Sequence, residues 1–365
     1  MQVNVNFLEK ESVAKVIHFY NSAQSDKFQT NNRSWEEFDW LFLKGCIKPS
    51  LYCVASESES GEIIGTNAGI FIPMLAKNGE QVLTIKGEDT LLSLDKMIGL
   101  GKRDILKELL QTISEKSKAD NAAFIWGFTP AKAPYLRCGF KIITQIRGSF
   151  YVIKPLKFYK YQIRKLPYLS LFKKTILFLF SWYNYLNIRL LFYNPSEYSR
   201  KRISLDEIDE KVLLSFLPEN VYTTYLSKDF LRWRISENPS PLKYGFLEFS
   251  DKRGIVVAYF IFSSNSENIF FVEQFLFARQ ITDNKKVRIM RLAFDYCRKL
   301  NAVMIRAMGF SHNDLNIKDM KLLSKSGFYF FNTPDESYFV FKNLSEHEIK
   351  PEGIYFSRLN TLGIG

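Results

Sequence analysis

Cysteine and histidine are scarce in this sequence of 365 residues. The four cysteines lie at positions 46, 53, 138 and 297 without a CxxC pair, and the three histidines lie at 18, 312 and 347. Such isolated positions argue against a disulfide framework and a zinc cluster, and they suit a reducing compartment. A catalytic triad would need one of the histidines, and no GxSxG motif accompanies them. We therefore expect no metal site.

A targeting segment and a long uncharged hydrophobic run are also missing. The first residues, MQVNVNFLEKESVAKV, contain early acidic residues and no apolar core, so they predict no signal peptide. The stretch 175–193 is long enough to span a bilayer, but polar and charged residues precede or interrupt it, at Lys173, Lys174, Asn184, Asn187 and Arg189. Their transfer into lipid is costly, which argues against a transmembrane helix. We expect a cytoplasmic protein that can touch the inner membrane face.

Composition and length indicate a folded protein of two domains. Apolar residues make up 46% and charged residues 24% of the chain, which excludes a disordered or low-complexity protein. Eighteen glycines and twelve prolines are too few for a fibrous protein. At roughly 150 residues per domain, the length predicts two domains and a linker.

The excess of positive charge is concentrated in one central stretch. Residues 151–205 contain 11 of the 50 lysines and arginines and a single acid, Glu197, whereas the rest of the chain is nearly balanced. The stretch is also rich in aromatic residues. An interdomain helix with a solvated basic edge is the first interpretation. A helix lying on an anionic membrane surface is the second, and nucleic-acid binding is the third.

Hydrophobic patterning predicts an α/β protein in which one order of elements occurs twice. In the first half we expect helices at 9–23, 35–44 and 105–117, and strands at 3–7, 51–55, 63–73, 81–85, 89–94, 122–127 and 141–153. In the second half we expect helices at 206–216, 228–235, 285–300 and 317–326, and strands at 244–249, 255–263, 269–277, 303–308, 329–332 and 338–342. The last twenty residues read as extended. The repeated order suggests duplication of one α/β fold.

A glycine-containing loop joins a predicted strand to the helix at 105–117. The loop reads Lys96-Met97-Ile98-Gly99-Leu100-Gly101, followed by Lys102. Glycines let the backbone approach a ligand, and the free N–H groups and dipole at a helix start favour an anion. The loop is neither a Walker A motif nor a GxGxxG motif, so by itself it is a weak signal that a structural turn would also explain.

Two motifs in the right order resemble the GNAT N-acetyltransferase superfamily over residues 1–150. The family's pyrophosphate loop reads [QR]-x-x-G-x-[GA], and here Lys96 replaces the Gln or Arg, a departure that keeps a donor. The second motif is GFTPAKAPYLRCGF, residues 127–140, in which Tyr135 lies four residues before the pair Gly139 and Phe140. One helix and one strand separate the two motifs, as in the family. The resemblance is specific for the superfamily and not for a substrate.

The resemblance implies the acyl-transfer chemistry of that superfamily, with acetyl-CoA as cosubstrate. Residues that would bind the cofactor are Leu91, Leu92, Ser93, Lys96, Met97, Ile98, Gly99, Leu100, Gly101 and Lys102. Tyr135 would be the general acid that protonates the leaving thiolate, and Glu88 or Asp89 would accept the proton of the amine. The alternatives are that Tyr135 only packs on its strand and that the two acids are solvated loop residues.

The second half also resembles a GNAT fold but lacks both motifs. Residues 278–292 contain no glycine, and Leu323 stands where the first half has Tyr135. Its segment DFLRWRISENPSPLKYGF resembles one in tandem GNAT proteins of bacterial surface-polysaccharide gene clusters. We expect substrate-binding residues at Arg232, Trp233, Arg234, Tyr244 and Glu273. Alternatively, Trp233 is a core aromatic, the arginines cap neighbouring elements, and Glu273 pairs with an arginine.

These observations predict an α/β chain with mixed α+β sheets, in which two GNAT-like folds are joined by a basic, aromatic-rich helical linker. The predicted units are 1–153, the linker 154–205, a degenerate domain 206–345, and an extended tail 346–365. The expected function is transfer of an acyl group from CoA to a primary amine, such as an amino sugar or amino acid. A non-catalytic scaffold and an aminoacyl transferase of the peptidoglycan-bridge type are the alternatives. The expected partners are the amine and, through 154–205, an anionic membrane, without nucleic acid; the oligomeric state stays open.

Overall fold

Apolar runs of the sequence form strands and helices along most of the chain. The computed structural model describes residues 2–24, 32–97, 104–165, 168, 170–190, 197–332 and 337–361. The strands are β1 (Val3–Phe7), β2 (Leu51–Glu57), β3 (Ile63–Leu75), β4 (Gln81–Leu92), β5 (Phe124–Thr129), β6 (Lys141–Gln145), β7 (Arg147–Val152), β8 (Ser199–Ile203), β9 (Thr223–Thr224), β10 (Lys243–Ser250), β11 (Val256–Ser264), β12 (Ile269–Phe277), β13 (Met304–Gly309), β14 (Tyr329–Asn332) and β15 (Tyr338–Asn343).

Helices cover the faces of the sheets and link their strands. They are α1 (Val13–Gln24), α2 (Trp35–Phe38), α3 (Leu94–Met97), α4 (Ile105–Ala119), α5 (Lys132–Arg137), α6 (Pro155–Lys165), α7 (Leu171–Leu190), α8 (Glu210–Ser215), α9 (Lys228–Leu231), α10 (Asp283–Lys299) and α11 (Asp314–Ser326). None of the described helices is both long enough and apolar enough to cross a bilayer.

Two mixed sheets share one strand order. The first sheet runs β1-β2-β3-β4-β5-β15-β6, with β9 paired to β3, and the second runs β8-β10-β11-β12-β13-β7-β14. In each sheet, one pair of named strands is parallel, β4 with β5 and β12 with β13. The other named pairs are antiparallel. The matched order confirms the predicted fold class, two α/β folds with mixed sheets.

Strands cross between the two halves, which the sequence pattern did not predict. β7 follows the first half in sequence, yet it lies between β13 and β14 of the second sheet. β15 belongs to the second half in sequence, yet it lies between β5 and β6 of the first sheet. Each sheet is therefore completed by the other half. The division at residue 153 does not coincide with the boundary between the sheets.

A pair of tryptophans joins the two halves at equivalent places. Ser34 and Ser227 cap α2 and α9, and both helices continue as short π-helical segments, Asp39–Lys44 and Arg232–Ser236. The rings of Trp40 and Trp233 in these segments stack with centroids 5.1 Å apart. Each indole N–H donates to the backbone carbonyl of the other tryptophan, at 2.8 and 3.4 Å. This reciprocal contact supports the duplication of one fold.

The helix at 105–117 packs as its periodicity predicts. Asp104 caps α4 by accepting a hydrogen bond from the Lys107 N–H at 3.1 Å. The apolar face of α4 is buried against β2 and β3 through Ile105, Leu109, Leu110 and Ile113. This packing fixes the start of α4 directly after the glycine-containing loop.

The C-terminal segment is buried between the two halves and is not extended into solvent. It forms two short 3-10 turns, Pro351–Gly353 and Arg358–Thr361, and between them Ile354 forms an isolated bridge with Tyr222. Phe356 is fully buried, and its ring lies 4.7 Å from that of Trp126 on β5. One apolar core cluster contains this segment together with residues of both halves. Burial of apolar side chains, and not strand pairing, places this segment.

Candidate active site

A cleft opens in the first sheet where β4 and β5 diverge. Their parallel pairing covers only Ile85–Gly87 and Ile125–Gly127. A Cβ at Gly127 would come within 3.3 Å of the Gly87 carbonyl oxygen, so glycine permits this close approach. Beyond this point, β4 pairs only with β3, and β5 pairs only with β15, among the described strands. One backbone edge of β4 therefore faces the cleft.

β4 carries a bulge at the mouth of this cleft. The register between β3 and β4 shifts between Thr66, which pairs with Leu91, and Ala68, which pairs with Glu88, so Asp89 and Thr90 lie in the bulge. Asp89 has φ of 49°, a left-handed conformation that is uncommon outside glycine and more accessible to Asp than to most residues. The Thr66 hydroxyl donates to the Asp89 carbonyl at 2.8 Å and holds the bulge in place. A bulge of this kind redirects backbone groups and side chains next to a site.

Tyr135 reaches this strand from α5, a helix that the sequence analysis did not predict. Its hydroxyl lies 2.8 Å from the Thr90 hydroxyl, which in turn donates to the Asn67 side-chain oxygen at 2.9 Å. Because Thr90 has one hydroxyl proton, Tyr135 is the donor in its contact with Thr90. Burial raises the pKa of Tyr135, so the phenol keeps its proton.

Tyr135 also packs. Its ring meets Phe140 edge to face, with centroids 5.1 Å apart, and the residue is buried. Packing and hydrogen bonding together give the hydroxyl one position on the cleft side of β4. The role of general acid stays a prediction, and the geometry provides a fixed, protonated donor.

Asp89 is held by residues that the sequence analysis missed. Its Oδ2 pairs with the guanidinium of Arg33 and accepts a hydrogen bond from the Tyr52 hydroxyl at 3.1 Å. Burial lowers the pKa of Arg33, but Asp89, Tyr20 and Glu37 together outweigh that effect, and the pKa is raised overall. The Asp89 side chain is only 3% exposed. Arg33 lies in a polar stretch with no periodic signal, so the pattern could not single it out.

Glu88 forms a second ion pair, with Lys86 two residues earlier on the same strand. Lys86 is fully buried, whereas the Glu88 side chain is 25% exposed. Burial lowers the pKa of Lys86 well below its ordinary value, and the nearby positive charge of Arg234 acts in the same direction. A lysine inside the apolar strand segment VLTIKG is a signal that sequence reasoning could have used.

The predicted cofactor-binding residues lie partly along the cleft. Leu91 and Leu92 pair with β3 on one side of their strand. Ser93 continues this pairing by donating its N–H to the Ile64 carbonyl at 2.9 Å. The other side of the strand borders the cleft. Lys96 lies on α3, which ends at Met97, and pairs with Glu62. Ile98, Gly99, Leu100, Gly101 and Lys102 lie outside the described residues. Their cofactor role stays a prediction.

The predicted substrate-binding residues of the second half contact other parts of the chain. Arg232 is exposed and pairs with Asp229 at 3.0 Å, and Trp233 stacks on Trp40 as described above. Arg234 is buried, and it donates to the Leu359 carbonyl at 3.2 Å and to the Tyr244 hydroxyl at 2.8 Å. Arg234 nevertheless lies near the candidate site, because its positive charge acts on Lys86 of β4. The role of these residues of the second half in substrate binding stays a prediction.

Glu273 lies in the equivalent cleft of the second sheet, which the C-terminal segment fills. β12 and β13 pair only over Ile269–Phe271 and Met304–Arg306 and then diverge. Arg358 enters this space and pairs with Glu273 in a fully buried ion pair. Next to it, Tyr355 donates to Asp319 at 2.6 Å. A cavity of about 60 Å³ remains.

The link that follows β12 is short and partly buried. It contains no glycine, and its residues Ala278 and Ile281 are buried before α10 starts at Asp283. The second cleft therefore lacks an open loop for an anion and is occupied by the chain itself. Within the described residues, no group of three or more His, Cys, Asp or Glu side chains could hold a metal ion.

Comparison with solved structures identifies the fold as a tandem GNAT fold. No family model matches the chain, and no curated protein matches it in sequence. Solved structures do match over nearly its whole length. A probable N-acyltransferase of unknown function from Enterococcus faecalis superposes with a TM-score of 0.62 at 9% identity, covering 94% of this chain and 73% of that one.

Two further structures have the same fold. Saccharomyces cerevisiae N-myristoyltransferase with bound myristoyl-CoA has a TM-score of 0.62 at 12% identity, over 98% of this chain and 84% of that one. A tandem GNAT protein from the clavulanic acid biosynthesis pathway has a TM-score of 0.55 at 11% identity, over 95% of this chain and 100% of that one. The resemblance to the GNAT fold is thereby confirmed for both halves. At these identities the likeness concerns the fold alone.

Proposed function

We propose that the chain is an acyl-CoA-dependent N-acyltransferase that uses the cleft between β4 and β5. One observation carries the proposal: a protonated Tyr135 hydroxyl is held by Thr90 on the bulged strand where β4 and β5 part. An acid–base residue at a diverging strand edge is suited to acyl transfer. The fold shared with N-acyltransferases, one of which holds myristoyl-CoA, supports the same function.

The reaction is aminolysis of a thioester. The amine nitrogen attacks the carbonyl carbon, a C–N bond forms, the C–S bond breaks, and one proton moves from nitrogen to sulfur overall. Tyr135 donates a proton to the leaving thiolate. Bonding to Thr90 keeps its hydroxyl oriented until the thiolate offers a stronger acceptor.

We assign Glu88 as the general base that accepts the proton of the amine. Asp89 is nearly inaccessible, because Arg33 and Tyr52 already contact its carboxylate. The Glu88 side chain is partly exposed and can be reached by an amine or by water. Lys86 beside it holds the Glu88 carboxylate in place through their ion pair. Asp89 then has a structural task, which is to fix the bulge.

The acceptor that we propose is a primary amine such as an amino sugar or amino acid, and acetyl-CoA is the proposed donor. The Trp-Arg segment of the second half supports a surface-polysaccharide context through its resemblance to tandem GNAT proteins of such gene clusters. We also propose that the protein works in the cytoplasm, in peripheral contact with an anionic membrane through residues 154–205. The charge excess of that stretch supports this contact.

Amine-dependent release of CoA tests the function directly. Full-length protein with acetyl-CoA and a panel of amino sugars and amino acids should release the CoA thiol only when a suitable amine is present. Tyr135→Phe removes one hydroxyl and should lower turnover about ten- to a thousandfold, with acetyl-CoA affinity nearly unchanged. Tyr355→Phe makes the same change in the second cleft and serves as the matched control, with turnover unchanged.

Failure of this test has a definite meaning. If Tyr135→Phe turned over as fast as wild type, Tyr135 would have a packing role and would not be the general acid. A protein that neither binds acetyl-CoA nor releases CoA with any amine would instead be a scaffold, a role for which the filled second cleft is the supporting observation.

A further inference from the structure

The outer face of α7 is apolar although it lies in solvent. Phe172, Ile176, Leu179, Tyr183 and Leu186 are spaced four and three residues apart, and each is at least half exposed. At 100° per residue, these five side chains fall within an arc of about 80°. We call them the α7 stripe. Single exposed apolar residues are ordinary, but a continuous row of five indicates a contact surface.

The inner face of α7 packs against β7 and β14. The stripe is therefore not the face that this helix buries in the core. Phe180 meets the rings of Phe150 and Tyr329, with centroids 5.8 and 4.9 Å away. Asn184 is buried, and its side-chain oxygen accepts a hydrogen bond from the Val152 N–H at 3.3 Å. These contacts fix the rotation of α7 on β7 and β14. The stripe must therefore face outward in the folded chain.

Exposed lysines lie on α7 itself and on the preceding helix α6. Lys160 and Lys165 of α6 and Lys173 of α7 are exposed, and Arg164 pairs with Glu267 at 2.9 Å. Tyr168, between α6 and α7, is fully exposed. The surface thus combines apolar and aromatic side chains with lysines, which is the combination that partitions into the headgroup region of an anionic bilayer.

We infer that α6 and α7 form a docking surface for an anionic lipid bilayer, with α7 lying in the plane of the interface. The stripe enters the boundary between headgroups and acyl chains, and the lysines contact the headgroups. A second copy of this chain is a poorer partner, because facing copies would bring their lysines together. The inference specifies the membrane contact proposed above and does not depend on acyl transfer.

Vesicle co-sedimentation of the full-length protein tests this surface. Wild-type protein should sediment with vesicles of equal parts phosphatidylglycerol and phosphatidylcholine, and not with phosphatidylcholine alone. The variant F172Q/L179Q/L186Q should lower the partition coefficient at least about tenfold. Its matched control is I47Q/I255Q/L300Q, which removes three exposed apolar side chains elsewhere and should bind as wild type does.

A charge variant separates the two contributions. Replacing Lys160, Lys165 and Lys173 by Gln should weaken binding at low salt and flatten its salt dependence. Wild-type protein that ignores anionic vesicles at low salt would overturn the inference, as would unchanged binding of the stripe variant. A concentration-dependent dimer that the stripe variant abolishes would assign the surface to a second copy. Because acetyl-CoA binding by the stripe variant should be unchanged, failure here leaves the proposed function intact.

Discussion

Lys86 and Glu88 form an ion pair at the edge of the candidate site, with the lysine buried and the carboxylate partly exposed. Burial disfavours the charged form of Lys86, and the nearby Arg234 adds to that effect. An amine that attacks a thioester must lose a proton close to this place. A carboxylate that water can reach, held in place by its ion pair with Lys86, can accept that proton and pass it on.

Exchanging the two neighbouring acids for their amides separates catalysis from structure. Glu88→Gln should lower turnover about ten- to a thousandfold and leave the fold and acetyl-CoA affinity unchanged. Asp89→Asn removes the buried counter-charge of Arg33, which keeps only the partly exposed Glu37 at 3.9 Å, and should cost about 3 kcal/mol of unfolding free energy. Turnover and urea denaturation of both variants measure this. Full turnover in Glu88→Gln would contradict its assignment as the base.

Titration of the Asp319 carboxyl group makes the free energy of unfolding depend on pH. Burial raises its pKa from 3.8 to about 6 in the folded protein, so the folded state binds this proton more tightly than the unfolded state does. The associated stability is present below pH 3.8 and is lost as the pH rises through about 6. Asp319→Asn should therefore gain on the order of 2 kcal/mol relative to wild type between pH 4 and pH 7.

Urea denaturation of both proteins at a series of pH values measures this difference. In Asp319→Asn, the side-chain amide oxygen can still accept the hydrogen bond from the Tyr355 hydroxyl. The two proteins therefore differ in the titrating group and not in this hydrogen bond. Parallel stability curves for the two proteins would show that Asp319 titrates in the folded state as it does in the unfolded chain.

At the scale of elements, the sequence predicted what periodicity and local motifs determine. α4 and β3 lie where their patterns predicted them, because each has one buried face or a continuous apolar run. The cleft residue Tyr135 was found from a motif. Arg33 was not, because an ion pair across 56 positions leaves no local trace. The exchange of β7 and β15 could not be predicted, since an alternating strand fits either sheet equally well.

The stacked tryptophans in the segments after α2 and α9 should behave as one unit. Trp40→Ala and Trp233→Ala each remove a buried aromatic and should each cost about 3–5 kcal/mol of unfolding free energy. The double variant should cost less than their sum by about 0.5–1.5 kcal/mol, the usual coupling of an aromatic pair. Denaturation of the four proteins in this double-mutant cycle measures the coupling. Strict additivity would argue against mutual packing.

At the scale of the whole molecule, the two halves are built into each other. The first sheet contains β9 and β15 of the second half, and the second sheet contains β7 of the first half. The two tryptophans form hydrogen bonds between the halves, and the C-terminal segment fills the second cleft. These contacts join the two halves into one unit, and they close the second cleft with the chain's own C-terminal segment.

Because the two halves share strands and contacts, we expect them to unfold cooperatively. Urea denaturation should give one transition, with coincident curves from tryptophan fluorescence and far-ultraviolet circular dichroism. Residues 1–153 expressed alone would lack β15 and leave β7 without a partner, so they should be insoluble or unfolded. Two separated transitions of the full chain, or a folded isolated half, would contradict this description of the halves.

The central claim is that the cleft between β4 and β5 binds acyl-CoA and that the second cleft does not. Calorimetric titration of the full-length protein with acetyl-CoA tests it most directly. We expect one molecule bound per chain, unchanged in Tyr135→Phe and lost in Gly101→Glu, because an added carboxylate would exclude the pyrophosphate from the loop that the sequence assigns to it. No binding, two molecules per chain, or wild-type affinity in Gly101→Glu would contradict the claim.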